Sequence, residues 1–242
     1  MPPPPPGGMN CSIPPPSDLL PPMRPPPRIL VSDFDGTMTK FDFFDLARRD
    51  LPSAADHDFW QDYVDGRITH FEALAGIFAA IRTDEPTLSD LVDRMELDPA
   101  LPDAVARLRA AGWEIIVASA GCAWYIHRLL DKAGVHLEVH ANPGAFAPDT
   151  GLTLSLPVDS PYFKRETGID KSAIVRAALA RDPRAVFAGD GRPDLAPSSL
   201  VAPGHRFATG WLAHHLRRNH QAFRPFDTWS RIAHALLEDP PC

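Results

Sequence analysis

The 242-residue sequence has few cysteines, and their spacing does not suggest a cross-link. The three cysteines, Cys11, Cys122 and Cys242, lie far apart, and none belongs to a C-x-x-C pair. Disulfide-stabilised secreted domains and cysteine-ligated zinc sites both need closely organised cysteines. The sequence therefore predicts a cytoplasmic protein with neither a disulfide framework nor a cysteine-ligated zinc site.

Concentrated positive charge and long apolar stretches are also missing. Lysine and arginine number 24 against 31 aspartates and glutamates, so the formal net charge is −7. There is no basic block of the kind that nucleic-acid-binding surfaces use. No apolar run approaches the roughly 20 residues that span a bilayer. We expect a soluble protein without a nucleic-acid or membrane partner, and the composition indicates no particular oligomeric state.

Proline is concentrated at the beginning of the sequence. Thirteen of the 28 prolines lie within residues 1–27. Because proline lacks an amide proton and fixes φ, this stretch cannot join a sheet or continue a helix. We expect a disordered tail that does not have the pattern of a signal peptide. A ligand for a proline-binding module is the alternative interpretation.

The rest of the sequence alternates apolar strands with helical patterns. Runs at 29–32 and 113–118 are strand-like, whereas residues 41–102 between them have helical periodicity. Thr69 and Glu72 form a capping-box signature inside that helical stretch. Alternation of this kind is typical of a parallel sheet covered on both faces. We predict an α/β fold: a Rossmann-like parallel sheet with a helical cap inserted after the first strand.

This interpretation divides the chain into a tail, a core and a cap. The predicted parts are the proline-rich tail (1–27), the core (28–40 and 103–242) and the cap (41–102). Within the core, residues 146–156 predict a β-hairpin, and residues 205–209 predict a last strand before C-terminal helices.

Polar side chains follow the ends of several predicted strands. Asp33 and Asp35 follow the first strand, Ser119 the second, and Asp190 a later one. The carboxyl ends of parallel strands meet at one edge of a sheet, where ligands bind. Lys171 begins a helix before the later strand and would bring a cation to the same edge. We therefore expect these residues to form one site.

A phosphate monoester together with Mg²⁺ explains this mixture of groups. Mg²⁺ prefers hard oxygen ligands, which the Asp33 carboxylate, the Asp35 backbone carbonyl and the Asp190 carboxylate would supply. A carboxylate can attack phosphorus to form an aspartyl-phosphate. A second acid two residues away can protonate the leaving alkoxide and then activate water.

The phosphoryl oxygens need donors and a compensating charge. The Ser119 hydroxyl and the backbone amides of Ala120 and Gly121 would donate hydrogen bonds, and Lys171 would neutralise charge. Lys164 is the alternative for the lysine role.

Four stretches resemble the motifs of haloacid-dehalogenase (HAD) superfamily phosphatases. In chain order they are Asp33-Phe-Asp-Gly-Thr-Met-Thr39 (D-x-D-G-T-x-T), Ile116-Val-Ala-Ser119 (a strand ending in serine), Lys171, and Gly189-Asp190-Gly-Arg-Pro-Asp194 (G-D-x-x-x-D). Each lies on the expected element. The resemblance extends from Arg28 to about His205.

The resemblance implies a role for each matched position. Asp33 would be the nucleophile and Asp35 the general acid and base, and both would ligate Mg²⁺ together with Asp190. Asp194 would hold the water shell of the metal ion or Lys171. Lys171 and the second-motif serine would bind the phosphate.

The helical insert resembles the cap of the phosphoserine-phosphatase-like branch, subfamily IB. Within that branch, Ser119-Ala-Gly-Cys-Ala-Trp-Tyr-Ile and the Phe207-Ala-Thr region leading to Phe226-Asp227 are similar to the methionine-salvage phosphatases. Those enzymes act on 2-hydroxy-3-keto-5-methylthiopentenyl-1-phosphate. The resemblance thus implies a small phosphorylated metabolite as the binding partner.

Two departures from the phosphoserine phosphatases concern the substrate. Those enzymes typically have a glutamate nine residues after the nucleophile and a cap arginine that grips the amino acid. Here Asp42 occupies the first position, and residues 71–78 contain no arginine. An α-carboxylate would therefore lack its bidentate partner. Asp42 suits a hydroxylated or cationic head group, or it serves only as a helix cap.

The function that the sequence favours is hydrolysis of a small phosphate monoester by a Mg²⁺-dependent phosphatase. A phosphoserine phosphatase and a phosphotransferase with the same intermediate are alternatives within the superfamily. A phosphometabolite-binding sensor without turnover is an alternative from another class, which the intact set of motif residues disfavours.

Overall fold

The computed structural model describes residues 1–2, 28–51, 53 and 57–238. The predicted tail therefore lies almost entirely outside the described residues. Among those described, no helix is both long and apolar enough to cross a membrane.

The described chain alternates strands and helices. The strands are β1 (Arg28–Ser32), β2 (Trp113–Cys122), β3 (Glu138–Asn142), β4 (Gly144–Ala147), β5 (Gly151–Leu154), β6 (Phe163–Lys164), β7 (Gly168–Ile169), β8 (Val186–Gly189), β9 (Arg206–Ala208) and β10 (Arg224–Pro225). The α-helices are α1 (Phe43–Asp50), α2 (Phe59–Val64), α3 (His70–Ala79), α4 (Glu85–Asp93), α5 (Leu101–Ala110), α6 (Ala123–Lys132), α7 (Lys171–Arg181), α8 (Leu195–Ser198), α9 (Gly210–Arg218) and α10 (Trp229–Glu238).

Six strands form a parallel sheet in the order β10-β9-β8-β1-β2-β3. β1 lies between β2 and β8, and Val31 is in register with both Ile116 and Phe187. Successive β1 side chains point to opposite faces. Ile29 and Val31 pack in the cluster that contains residues of α7, whereas Leu30 packs in the cluster that contains α5, α6 and α10. The predicted α/β fold with a parallel sheet covered on both faces is confirmed.

The segment between β1 and α5 contains the four helices α1–α4. The predicted capping box is present: the Glu72 amide donates to the Thr69 hydroxyl (3.1 Å), and the Thr69 amide donates to the Glu72 carboxylate (2.8 Å). These interactions satisfy amide groups that have no partner at a helix start, so they fix where α3 begins.

The predicted hairpin also forms, as antiparallel β4 and β5, and it packs on α3. Gly151 has a φ of +71°. A Cβ there would lie 2.6 Å from the Phe78 carbonyl oxygen. Only glycine allows this backbone approach, so the hairpin closes against the end of α3.

Two strand predictions need correction. The second strand was expected to end before Ser119, but β2 continues to Cys122 after a change of register beyond Ala118. The strand at 205–209 is not the last, because β10 adds a two-residue edge strand at Arg224–Pro225. A strand this short that contains proline has almost no sequence signal.

Candidate active site

The turn after β1 places Asp33 and Asp35 at the carboxyl edge of the sheet. The Trp229 indole donates to the Ser32 hydroxyl (3.0 Å), which donates to the Asp33 carbonyl oxygen (2.7 Å). The Asp33 amide donates to the Ala188 carbonyl oxygen of β8 (2.9 Å). The backbone of Asp33 is thus held on both sides.

Gly36 lets this turn approach the neighbouring strand. Its φ is +67°, and a Cβ would lie 2.5 Å from a carboxylate oxygen of Asp190. The Thr37 hydroxyl donates to the other Asp190 oxygen across a long 3.4 Å contact. The first and fourth motifs are therefore in direct contact.

Lys171 lies between two buried carboxylates. Its ammonium group is 2.7 Å from Asp33 Oδ1 and 2.7 Å from Asp194 Oδ1, and the side chain is 5% exposed. Burial alone would lower the pKa of Lys171, but the charges of Asp194 and Asp33 outweigh it and raise the pKa above its ordinary value. A lysine at a helix start is otherwise unfavourable beside the helix dipole. Lys164, the alternative, is exposed on β6 and does not line the cavity.

Asp35 is buried and accepts hydrogen bonds from three groups. The Tyr125 hydroxyl donates at 3.0 Å, the Phe43 amide at 3.3 Å and the Ser119 hydroxyl at 3.4 Å. Burial, with a smaller contribution from the Asp33 charge, raises the pKa of Asp35 to about 7, although the Phe43 and Tyr125 hydrogen bonds oppose the shift. A pKa near neutrality suits a group that donates a proton in one step and accepts one in the next.

The second motif forms a small polar edge at the end of β2. The Gly121 amide donates to the Ser119 hydroxyl oxygen (2.9 Å). Ser119, Ala120 and Gly121 all line the cavity described below. The structure therefore brings Ser119 beside Asp35, as a phosphate-binding role would require.

Asp190 and Asp194 lie in the loop after β8. Carboxylate oxygens of Asp33, Asp190 and Asp194 lie within 4.8 Å of one another. Burial raises the pKa of Asp33 well above its usual range and that of Asp190 to about 8, with Asp194 adding to both shifts. A buried group of carboxylates is stabilised by a divalent cation, and hard oxygen donors match Mg²⁺.

The two oxygens of Asp194 are already engaged. Oδ1 pairs with Lys171, and Oδ2 accepts the amides of Asp190 (3.1 Å) and Gly191 (2.9 Å). This carboxylate, 0% exposed, holds the lysine and the loop in place. Asp33, Asp190 and Asp194 thus lie in one cluster, and their division into metal ligands and a supporting carboxylate stays a prediction.

The position of Asp42 is compatible with both roles that the sequence left open, helix cap and contact to the substrate. It is the N-cap of α1, where it accepts the Phe44 amide (2.7 Å), and it also lines the cavity. Burial, with the nearby Asp35 charge, raises the pKa of Asp42 to about 8. A pKa of about 8 leaves this carboxyl mostly protonated at neutral pH.

A cavity of about 250 Å³ lies over the motif residues. We call Asp33, Asp35, Ser119, Lys171, Asp190 and Asp194 the floor; the first five line the cavity, and Asp194 is buried behind Lys171. The wall consists of the ring-bearing and aliphatic cap side chains that line the cavity: Phe44, Trp60, Tyr63, His70, Leu74 and Phe78. The cap carboxyls of Asp42 and Asp45 line the cavity as well. Wall rings contact one another, with centroids 4.2 Å apart for Phe44 and Trp60 and 5.2 Å apart for Trp60 and Tyr63. Among the described cap residues, no lysine or arginine lines the cavity.

Sequence reasoning missed several residues of the site. Tyr125, whose hydroxyl contacts Asp35, has only a weak signal: a polar aromatic on the buried face of α6. Trp211 and Arg192 line the core side of the cavity, with the guanidinium 4.8 Å from the indole centroid. The side chains of the wall come together only through the packing of α1–α3, so no local pattern could have identified them.

Comparison with known proteins agrees with this geometry. A family model described as haloacid dehalogenase-like hydrolase matches residues 30–196, more than two thirds of the chain. Comparison with curated protein sequences gives no match.

Several solved structures share the fold. A HAD family hydrolase from Salmonella enterica serovar Typhi has a TM-score of 0.64 at 18% identity, covering 90% of this chain and 74% of that one. A structure of phosphoserine phosphatase as a phospho-aspartyl intermediate analogue has a TM-score of 0.60 at 16% identity, covering 86% of this chain and 98% of that one. A phosphoserine phosphatase from T. onnurineus has a TM-score of 0.57 at 18% identity, covering 89% and 98%.

The matched segment contains all four motifs and every floor residue. The structural neighbours retain the fold at low identity, as expected when a family is defined by its core and its site. This chain belongs to the haloacid dehalogenase-like hydrolase family.

Proposed function

We propose that this protein is a Mg²⁺-dependent phosphatase that hydrolyses a small phosphate monoester through an aspartyl-phosphate on Asp33. The observation that carries the proposal is the placement of Asp33, ion-paired to buried Lys171 and close to Asp35, at the floor of a small cavity. The phospho-aspartyl analogue described for one structural neighbour supports the same chemistry.

In the first step, an oxygen of the Asp33 carboxylate attacks phosphorus. A P–O bond forms to Asp33, and the bond to the substrate's alcohol oxygen breaks. Protonated Asp35 gives its proton to the departing alkoxide, so the alcohol leaves neutral. A pKa of about 7 leaves Asp35 partly protonated at neutral pH.

In the second step, Asp35 is ionised and acts as a base. It accepts a proton from a water molecule, whose oxygen attacks the phosphorus of the aspartyl-phosphate. The acyl-phosphate bond breaks, inorganic phosphate leaves, and Asp33 is again a carboxylate while Asp35 is again protonated.

The other floor residues hold the transferring group. Lys171 would balance negative charge on the phosphoryl oxygens, and Ser119 with the Ala120 amide would donate hydrogen bonds. The Gly121 amide donates to the Ser119 hydroxyl in this structure, and it would exchange that partner for a phosphoryl oxygen. Because Lys171 is fixed by Asp194, it needs no reorganisation during the reaction.

Asp33, the Asp35 backbone carbonyl and Asp190 would hold the Mg²⁺, with Asp194 outside the first coordination sphere. The cation supplies charge neutralisation, which lets a carboxylate approach an anionic phosphate ester.

The substrate is a small phosphorylated metabolite, processed in the cytoplasm. The methionine-salvage ester 2-hydroxy-3-keto-5-methylthiopentenyl-1-phosphate is the first candidate, because an aromatic wall suits its apolar methylthio arm and Asp42 suits a hydroxyl. Phosphoserine is the second candidate, supported by the fold of several neighbours. It is disfavoured because no described cap arginine or lysine lines the cavity.

The test is release of inorganic phosphate from a panel of esters, measured with Mg²⁺ and with chelator. The panel contains the methylthiopentenyl ester, phosphoserine, phosphocholine and sugar phosphates, and Asp33→Asn is the inactive control. Turnover of one ester that chelator and Asp33→Asn both abolish would support the proposal. Transfer of phosphate to an added alcohol in preference to water would indicate a phosphotransferase. Binding of an ester without any release of phosphate would contradict the proposed phosphatase activity.

A further inference from the structure

His70 is a wall residue with a buried nitrogen that has no hydrogen-bond partner among the described residues. It is the first residue of α3, directly after the Thr69 cap. The amide of the following residue, Phe71, donates to the Glu166 carbonyl oxygen (2.9 Å) in the loop between β6 and β7. The position of His70 is therefore set by the capping box on one side and by a core segment on the other.

The imidazole is enclosed by aromatic rings and reaches the cavity. His70 is 9% exposed and lines the cavity. Its ring centroid is 5.2 Å from that of Tyr63 and 6.1 Å from that of Trp60, both edge-on. Among the described residues, Nδ1 of His70 has no hydrogen-bond partner. Buried polar atoms are nearly always hydrogen-bonded. Nδ1 is itself buried in this structure, and the ring lines the cavity, so a molecule in the cavity can give this nitrogen a partner once the imidazole turns toward it.

The charge state of His70 limits what that partner is. Burial lowers the pKa of His70 to about 4, and the charge of Lys171 contributes in the same direction. A neutral imidazole has one N–H donor and one nitrogen acceptor. It can therefore contact a hydroxyl as donor or acceptor, or donate to a carbonyl oxygen, without bringing a charge into the cavity.

We propose that His70 is a specificity-determining residue that hydrogen-bonds an uncharged hydroxyl or carbonyl oxygen on the alcohol portion of the phosphate ester. This inference rests on the proposed phosphatase function and narrows its substrate class. The preferred esters carry a neutral oxygen function near the phosphate and an apolar portion against the wall.

Charged head groups fit the same surroundings less well. A substrate carboxylate would share the cavity with Asp42 and Asp45, which line it on the cap side. The arginine among the described lining residues is Arg192, which lies on the core side. A trimethylammonium group has no donor or acceptor for an imidazole nitrogen. A carboxylate could accept from an imidazole N–H, but it would find no cationic partner among the described cap residues that line the cavity.

The experiment compares His70→Phe and His70→Gln with the wild-type enzyme. Phenylalanine keeps a ring of similar shape without polar atoms, and glutamine restores a donor and an acceptor. The esters are dihydroxyacetone phosphate and glycerol 3-phosphate, which carry neutral oxygens, and p-nitrophenyl phosphate, which has no hydroxyl or carbonyl group on its ring. His140→Phe, on β3 outside the cavity, is the matched control.

We expect His70→Phe to lower kcat/KM for the two oxygen-bearing esters by about tenfold or more, mainly through KM, because a buried hydrogen bond to substrate is lost. Turnover of p-nitrophenyl phosphate should stay within about twofold. His70→Gln should recover part of the loss, and His140→Phe should resemble the wild type.

Three results would overturn the inference. Equal losses for all esters in His70→Phe would show that the ring is only structural. In the ester panel that tests the proposed function, a wild-type preference for phosphocholine would indicate a cation-binding wall, and a preference for phosphoserine would indicate a carboxylate contact. If the wild-type enzyme releases no phosphate from any ester, the proposed function itself is wrong, a result distinct from unaltered selectivity in an active enzyme.

Discussion

The floor and the wall of the cavity differ in how completely the protein satisfies its own polar groups. On the floor, Lys171 pairs with two carboxylates, and Asp35 accepts three hydrogen bonds. The wall is mainly aromatic, and its histidine has a nitrogen without a partner among the described residues. A preorganised floor suits steps that are the same for every substrate. A wall with an open polar position suits recognition of one substrate. Under the proposed function, the core would carry the chemistry and the cap the selectivity.

The largest expected effect comes from the floor nucleophile. Asp33→Asn should lower phosphate release by roughly 10³-fold or more, because an amide cannot form the aspartyl-phosphate. The protein should still fold, since the change removes one of several crowded buried carboxylates. Phosphate release assays with circular dichroism check both points. Asp149→Asn, in the exposed turn between β4 and β5, is the control. Residual turnover in Asp33→Asn close to that of the control would contradict the assigned nucleophile.

Replacing the floor cation should damage both activity and stability. Lys171→Met leaves Asp33 and Asp194 buried without their partner, so we expect a loss of about 3 kcal/mol or more in unfolding free energy. The value of kcat/KM should fall by about 10²-fold or more, because charge stabilisation of the phosphoryl group is lost. Urea denaturation with chelator and steady-state kinetics measure the two effects. Lys164→Met should change neither, and a similar loss there would mean that the lysines are misassigned.

A smaller effect is expected at the boundary between floor and cap. Tyr125→Phe removes the 3.0 Å hydrogen bond that favours ionised Asp35. The pKa of Asp35 should rise by about one unit, since a hydrogen bond to a charged group contributes about 1.5 kcal/mol. The limb of the pH–rate profile that reports this ionisation should move to higher pH. Tyr162→Phe, which packs on His140 outside the cavity, should leave the profile unchanged. An unmoved limb in Tyr125→Phe would argue against Asp35 as the titrating group.

On the cap side of the cavity, a polar substitution should change selectivity more than rate. Asp42→Asn keeps helix α1 capped, because asparagine is as good an N-cap as aspartate. We expect KM for hydroxylated esters to rise by about fivefold, with kcat little changed, because the carboxyl that would hydrogen-bond the substrate hydroxyl is replaced by an amide. Asp42→Ala should in addition cost about 1 kcal/mol of stability through loss of the cap. If Asp42→Asn leaves every KM unchanged, Asp42 is a capping residue only.

The smallest effect is the pH dependence of stability without metal. The pKa values of Asp35, Asp42 and Asp190 are raised to about 7, 8 and 8. The folded chain therefore binds more protons than the unfolded chain between about pH 4 and 8, and its stability decreases as pH rises through this window. With chelator, Tm should be several degrees higher at about pH 6.5 than at about pH 8, since 1 kcal/mol corresponds to roughly 2–4 °C for this size.

At these two pH values His70 contributes little to the difference in Tm. Its lowered pKa acts in the opposite direction, but only below about pH 6.5, where the unfolded histidine gains a proton that the folded one does not. In Asp42→Asn the difference in Tm between the two pH values should shrink. A higher Tm at about pH 8 than at about pH 6.5 in the wild type would contradict the raised pKa values.

The floor could be largely predicted because its residues follow strand ends. All strands of a parallel sheet end at the same edge, and in this sheet β1 lies between β2 and β8. Asp33, Ser119 and Asp190 therefore needed only the alternation of strands and helices to be placed at one edge. Lys171 was identified by its position in a motif, and burial between Asp33 and Asp194 distinguishes it from exposed Lys164.

The sequence by itself determined the parallel α/β core, the cap helices after β1 and the placement of the motif residues at one edge of the sheet, because these depend on local periodicity and on strand ends. Only the tertiary structure decided which side chains face those residues. Tyr125, His70 and Trp211 meet the floor through the packing of separate helices, and aromatic residues at helical spacing look the same whether they fill a core or line a cavity. The protonation of Asp35 and Asp42 was also decided there, because burial, which raises both pKa values, belongs to the folded chain and not to any segment of it.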